Sequence, residues 1–104
     1  MVAVANWQDP GLKEAVLLWT GYGSATSPRR DKSAVQRRFG PDSPKWIALI
    51  ESIADEFYES KANLEADDLP QMWTMSISDF KKRYPDAPEA ITKALAWCYT
   101  FDNR

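Results

Sequence analysis

Residues 43–58 read Ser-Pro-Lys-Trp-Ile-Ala-Leu-Ile-Glu-Ser-Ile-Ala-Asp-Glu-Phe-Tyr, and their spacing decides the fold class. Trp46, Ile50, Ile53 and Phe57 share one row of an α-helix, with Ile47, Ala54 and Tyr58 beside it. Glu51, Asp55, Glu56 and Glu59 fall on or near the opposite side. An apolar stripe about four turns long with a charged back has to bury itself against other elements. Ser43 is placed to cap this helix, and Pro44 suits its first position, where a missing N–H costs nothing.

The same period continues on both sides. Towards the N-terminus, Asp9-Pro10 is a cap followed by a first-turn proline, and Leu12, Ala15, Val16 and Trp19 recur at helical spacing. Leu17 and Leu18 widen that stripe, and Gly21 and Gly23 end it. A second helix starts at Ser27-Pro28 or at Asp31, turns Val35 and Phe39 to the core, and stops at Gly40-Pro41. Towards the C-terminus, Ala62–Leu64 can extend the third helix. Asp67-Asp68 and Pro70 then interrupt the period, while Leu69, Met72 and Trp73 predict a connection that packs on the core.

Ser76 and Asp79 read as a capping box, with Met75 and Phe80 as its hydrophobic staple, and predict a fourth helix ended by Pro85. Lys81, Lys82 and Arg83 occupy its last turn, where the helix dipole favours cations. A fifth opens at Asp86 and carries Ile91, Ala94, Leu95, Trp97, Cys98 and Phe101. With no strand-like alternation, the expected fold is all-α: a compact irregular or orthogonal bundle of about five helices. It forms a single helical domain over residues 1–104 with a short N-terminal tail, 1–8.

Composition removes several function classes. The chain of 104 residues holds no histidine and one cysteine, Cys98. A histidine general base, a His-ligated zinc site and an intramolecular disulfide are therefore impossible. Neither a phosphate-binding loop nor a dinucleotide fingerprint is present, and Cys98, between Trp97 and Tyr99 on an apolar face, reads as an inert core thiol. No cofactor and no metal are expected. Met1–Trp7 lack the basic start of a signal peptide, and no apolar run reaches the roughly 20 residues of a membrane helix. These features predict a cytoplasmic protein without a membrane partner.

The net charge of −2 is unevenly spread. Residues 28–45 carry Arg29, Arg30, Lys32, Arg37, Arg38 and Lys45 against Asp31 and Asp42. Residues 51–68 carry Glu51, Asp55, Glu56, Glu59, Glu65, Asp67 and Asp68 against Lys61. Either the two runs face each other or they form two oppositely charged faces.

Three functional readings follow. The leading one is a small non-enzymatic protein-interaction module, of the adaptor, inhibitor or assembly-subunit kind. Leu69, Met72 and Trp73 would be its apolar anchors, and Glu51, Asp55, Glu56 and Glu59 would steer a basic partner protein. The second is binding of nucleic acid or a phosphorylated ligand by Arg29, Arg30, Arg37 and Arg38. A helix starting at Pro28 would set Arg29, Arg30 and Arg37 in one sector, beside the hydroxyls of Ser24, Thr26 and Ser27. The third is a Mg²⁺-dependent nucleotide hydrolase. Asp55-Glu56-x-x-Glu59 followed by Glu65-x-x-Asp68 resembles the carboxylate pairs of all-α nucleotide pyrophosphatases. That family sets its two pairs on separate packed helices, and residues 60–64 are too few for a turn and a second helix.

Overall fold

A computed structural model describes residues 2–104. Regular structure in them is entirely helical: α1 (Pro10–Thr20), α2 (Lys32–Phe39), α3 (Ser43–Phe57), the single turn α4 (Ala62–Glu65), α5 (Leu69–Arg83) and α6 (Glu89–Asp102). Four long helices, α1, α3, α5 and α6, build the bundle, rather than the five expected; α2 has only 8 residues.

α1 begins and ends where its sequence demands. The Asp9 carboxylate accepts the Gly11 N–H at 2.8 Å. Gly21 closes the helix at φ 80°, a left-handed conformation that costs glycine little. Its N–H returns to the Leu17 carbonyl at 2.9 Å. Gly11 also lets the Trp46 ring lie against α1, since a Cβ there would stand 3.1 Å from it.

α2 starts later than a Pro28 opening would place it. Asp31 is the cap, accepting the Ala34 N–H at 3.0 Å, so Arg29 and Arg30 lie in the preceding loop. The shared helical sector expected for Arg29, Arg30 and Arg37 therefore does not form. Gly40-Pro41 ends α2 as expected, but the chain passes through a 3-10 turn, Gly40–Asp42, directly into α3. Ser43 thus becomes a buried first residue of α3 instead of its cap.

The largest departure is α5. Residues 69–75 are helical and continuous with the stretch beyond them, because Asp68 caps the Gln71 N–H at 2.8 Å and Pro70 falls in the first turn. Ser76 is buried in mid-helix, its hydroxyl donating to the Trp73 carbonyl at 2.9 Å. Asp79 accepts the Ser60 hydroxyl at 2.7 Å instead of closing a capping box. Ala62–Glu65 form a separate turn and do not extend α3.

The core takes in most of the stripes read from the spacing and adds Tyr99, while Trp46, Trp97 and Phe101 are only half-buried. Leu12 and Val16 of α1, Ile50, Ile53 and Phe57 of α3, Phe80 of α5, and Ile91, Leu95 and Tyr99 of α6 are all buried. Each such side chain contributes roughly 1.5–3 kcal/mol on leaving water. Part of the N-terminal tail is held down as well. Trp7 packs edge-on against Phe80 at 6.0 Å, and the Val2 N–H reaches Glu56 at 3.2 Å and the Tyr84 hydroxyl at 3.1 Å. No helix among the described residues is long and apolar enough to cross a membrane.

Candidate functional site

The fold sets much of the basic run against carboxylates. Arg30 reaches Asp102, at the end of α6, at 3.1 Å. Arg38 pairs with Glu14 of α1 at 2.8 Å, and Lys32 stands 3.7 Å from Glu51. Arg29 and Arg37 are exposed and make no ion pair among the described residues. The four arginines named as a possible anion site are thus divided: Arg29 and Arg30 in a loop, Arg37 and Arg38 in the last turn of α2, two of the four committed to carboxylates.

The acidic row is divided too. Glu56 is the inward member, its side chain only 12% exposed. It forms an ion pair with Arg83, accepts the Tyr84 hydroxyl at 2.9 Å, and offers its backbone carbonyl to Arg83 at 2.7 Å. Burial opposes ionisation of this carboxyl, but the Tyr84 hydroxyl and the Arg83 charge outweigh it and hold the group below its usual range. Arg83 also binds Glu59 at 3.1 Å. Sequence reading placed Arg83 on a dipole-favoured helix end and missed that it clamps α5 to α3.

Asp55 is exposed and carries no ion pair among the described residues. Two hollows meet at Asp55 and Glu59. One is lined by Val2, Ala3, Ala48, Leu49, Ser52 and Glu56 besides those two. The other is a cleft of about 300 Å³ walled by Trp19, Arg30, Glu51, Ala54 and Tyr58. In this cleft the Arg30 guanidinium lies 5.8 Å from the ring centres of both Trp19 and Tyr58, within cation–π range. The Tyr58 hydroxyl donates to Asp102 at 2.6 Å. Burial and Asp102 together push that phenol well above its usual range, so it stays protonated. Trp19 is 3% exposed, and its indole N–H is buried without an acceptor among the described residues.

The cleft is therefore bipolar. Arg30 supplies donors at one end, beside the Trp19 ring, and Asp55, Glu51 and Glu59 supply acceptors along α3. Nothing converges as a metal cage: among the described residues no group of three or more Asp, Glu or Cys side chains could hold a metal ion. Glu65 ends the turn α4 and Asp68 caps α5, so the second carboxylate pair does not share a helix.

The three apolar residues named as anchors fare differently. Met72 is 6% exposed and belongs to the core, whereas Leu69 is 41% exposed. Trp73 is half-buried, its ring 6.4 Å from that of Tyr22, which in turn lies 5.5 Å from Trp97. Cys98 is buried, and desolvation pushes its thiol up to about 11, which leaves it a poor nucleophile.

Searches against known protein families, curated proteins and solved structures find no match to this chain.

Proposed function

We propose that the protein is a non-enzymatic interaction module that docks a basic segment of another protein on the outer face of α3. The observation that supports this reading is Asp55. It is exposed, has no ion pair among the described residues, and stands where two hollows meet, with Glu59 beside it in both. Most other carboxylates of the α3 row already face a cation of the chain: Glu51 faces Lys32, and Glu56 and Glu59 face Arg83. A carboxylate left over at the centre of a concave acidic surface favours a cationic partner, chiefly through association rate and orientation. The arginine run supports an anion-binding role less well, because Arg30 and Arg38 are engaged within the fold. A cytoplasmic setting suits such a module but is not required by it.

The test is a pull-down from native lysate after nuclease treatment. It uses the parent chain, Asp55→Lys, and Glu65→Lys as a charge-matched change on the exposed turn α4. A protein retained by the parent and by Glu65→Lys but lost with Asp55→Lys is the expected result. Equal retention by all three chains, or retention of nucleic acid alone without nuclease, overturns the reading.

A further inference from the structure

Among the described residues, large apolar side chains are exposed at two places only, Leu64 at 79% and Leu69 at 41%. Both belong to the knuckle between α3 and α5: Leu64 lies in the turn α4, and Leu69 opens α5. The knuckle is held in place from below. The Tyr99 hydroxyl accepts the Asn63 N–H at 3.0 Å and donates to the Ser60 carbonyl at 2.7 Å, and the Ser60 hydroxyl donates to Asp79 at 2.7 Å. An apolar side chain on a segment already ordered loses little freedom when it docks. Glu65, Asp67 and Asp68 flank the two leucines, all three exposed and without an ion pair among the described residues. The chain also carries a matching hollow. Pro10, Leu17 and Leu18 of α1, with Tyr22 beyond the helix end, wall about 520 Å³, and Lys13 and Glu14 line it too. Arg38 engages Glu14 at 2.8 Å, whereas Lys13 is exposed and has no ion pair among the described residues, so the unspent charge of the hollow is positive. A strip of rings joins knuckle and hollow. Leu69 stands one helical turn before Trp73, whose ring lies 6.4 Å from that of Tyr22, and Tyr22 lies 5.5 Å from Trp97. All three rings are half-buried.

We infer that this surface pairs two copies of the chain about a two-fold axis through the aromatic strip, with Leu64 of each copy seated in the α1 hollow of the other and its acidic flank on the other's Lys13. One end of the surface is apolar, protruding and acidic; the other is apolar, concave and basic. Two ends that complement each other on one continuous surface are both satisfied when a second copy is turned end for end, which is the reciprocal pairing a two-fold interface requires. The strip then falls at the centre, where Trp and Tyr concentrate binding energy, and the charges fall at the rim, where they set register. A contact of this modest extent is weak, with a dissociation constant on the order of 100 µM. The inference does not rest on the docking of a basic segment on α3, whose carboxylates lie outside this surface.

The experiment is sedimentation equilibrium of the full chain from about 10 µM to about 1 mM. The parent is expected to pass from the mass of one chain to that of two. Leu64→Ser changes a side chain that is 79% exposed, so the fold stands, and it is expected to weaken dimerisation at least about tenfold through the lost burial of a leucine. Charge reversal tests the register. Lys13→Glu alone, and Glu65→Lys with Asp67→Lys in a second chain, are each expected to dimerise about fivefold or more weakly than the parent, because like charges then meet at both ends. An equimolar mixture of these two chains is expected to regain at least the parent's affinity, since each end of the mixed pair meets its opposite. A parent that stays monomeric to about 1 mM overturns the inference. So does dimerisation that Leu64→Ser leaves unchanged, or a mixture no tighter than its two components alone.

Discussion

Replacing Glu56 by glutamine isolates one charge at the joint between α3 and α5. The amide keeps the length of the side chain and still offers an oxygen to the Tyr84 hydroxyl, which donates to Glu56 at 2.9 Å in the parent. What it loses is the ion pair with Arg83. The Glu56 side chain is 12% exposed and that of Arg83 33% exposed, so water screens the pair only in part. Hydrogen bonds to charged groups are worth about 1.5–3 kcal/mol, and the partial exposure of Arg83 places the expected loss near the middle, about 2 kcal/mol. For a domain of this length that is a fall in Tm of about 10 °C.

The pH dependence carries the sharper test. The carboxyl of Glu56 is held below its usual range in the folded protein. A depressed carboxyl contributes stability that is complete above the unfolded value, about 4.3, and is lost as pH falls through the folded one. Urea unfolding followed by tryptophan fluorescence should show the full difference between parent and Glu56→Gln at neutral pH, and the two curves should converge at acid pH. Equal stabilities at neutral pH, or a difference that persists undiminished in acid, refute the account of Glu56 as an ionised, paired group.

Gly21→Ala forces a side chain into φ 80° and brings its Cβ to 3.0 Å from that of Ala25, so thermal unfolding should register a loss of about 1–2 kcal/mol. A stability equal to the parent's would show that the α1 end relaxes freely. Tyr99→Phe deletes a buried hydroxyl that donates to the Ser60 carbonyl at 2.7 Å and accepts the Asn63 N–H at 3.0 Å. It should cost about 1–3 kcal/mol in urea unfolding, because two polar groups of the α3–α4 link are left unpaired. Cys98, with its thiol at about 11 and its side chain buried, should react with a thiol-specific disulfide reagent at pH 8 only as fast as the protein opens. Rapid labelling of the folded chain would contradict that burial.

The fold was legible where one period ran between unambiguous signals. α1 lies between Asp9-Pro10 and Gly21, where the apolar spacing and the end signals agree, and α3 buries Ile50, Ile53 and Phe57 of its row as the spacing requires, although Ser43 does not cap it. α5 misled because Pro70 and the two preceding aspartates look like interruption. In fact Asp68 is a cap, Pro70 sits in the first turn where it removes no hydrogen bond, and the period of Met72, Ser76 and Phe80 was hidden by a serine in the buried row. Burial of Met72 follows from that register and takes it out of the set of exposed anchors. Pairings between distant elements were not legible at all. Nothing local in the sequence joins Arg30 to Asp102 or Arg83 to Glu56, since those contacts span 72 and 27 residues.

Those long-range pairs also tie part of both charge runs to other elements of the fold, and one of them, Lys32 with Glu51, joins the two runs. The basic run spends Arg30, Lys32 and Arg38 on α6, α3 and α1, and Arg83 of α5 spends itself on α3. The exposed pairs of Arg30, Lys32 and Arg38 add little stability, about 0–1 kcal/mol each, unlike the more buried Arg83–Glu56 pair. Their larger consequence is to cancel field locally, around α2 and α3. Arg29 and Arg37 are left on the α2 side, and Asp55 on α3. Only Asp55 of these three lies in a concave, aromatic-walled recess, where low-dielectric surroundings lengthen the reach of one charge. Under the proposed function Asp55 is therefore the carboxylate best placed to select a cationic partner, which makes the outer face of α3 the place to test first.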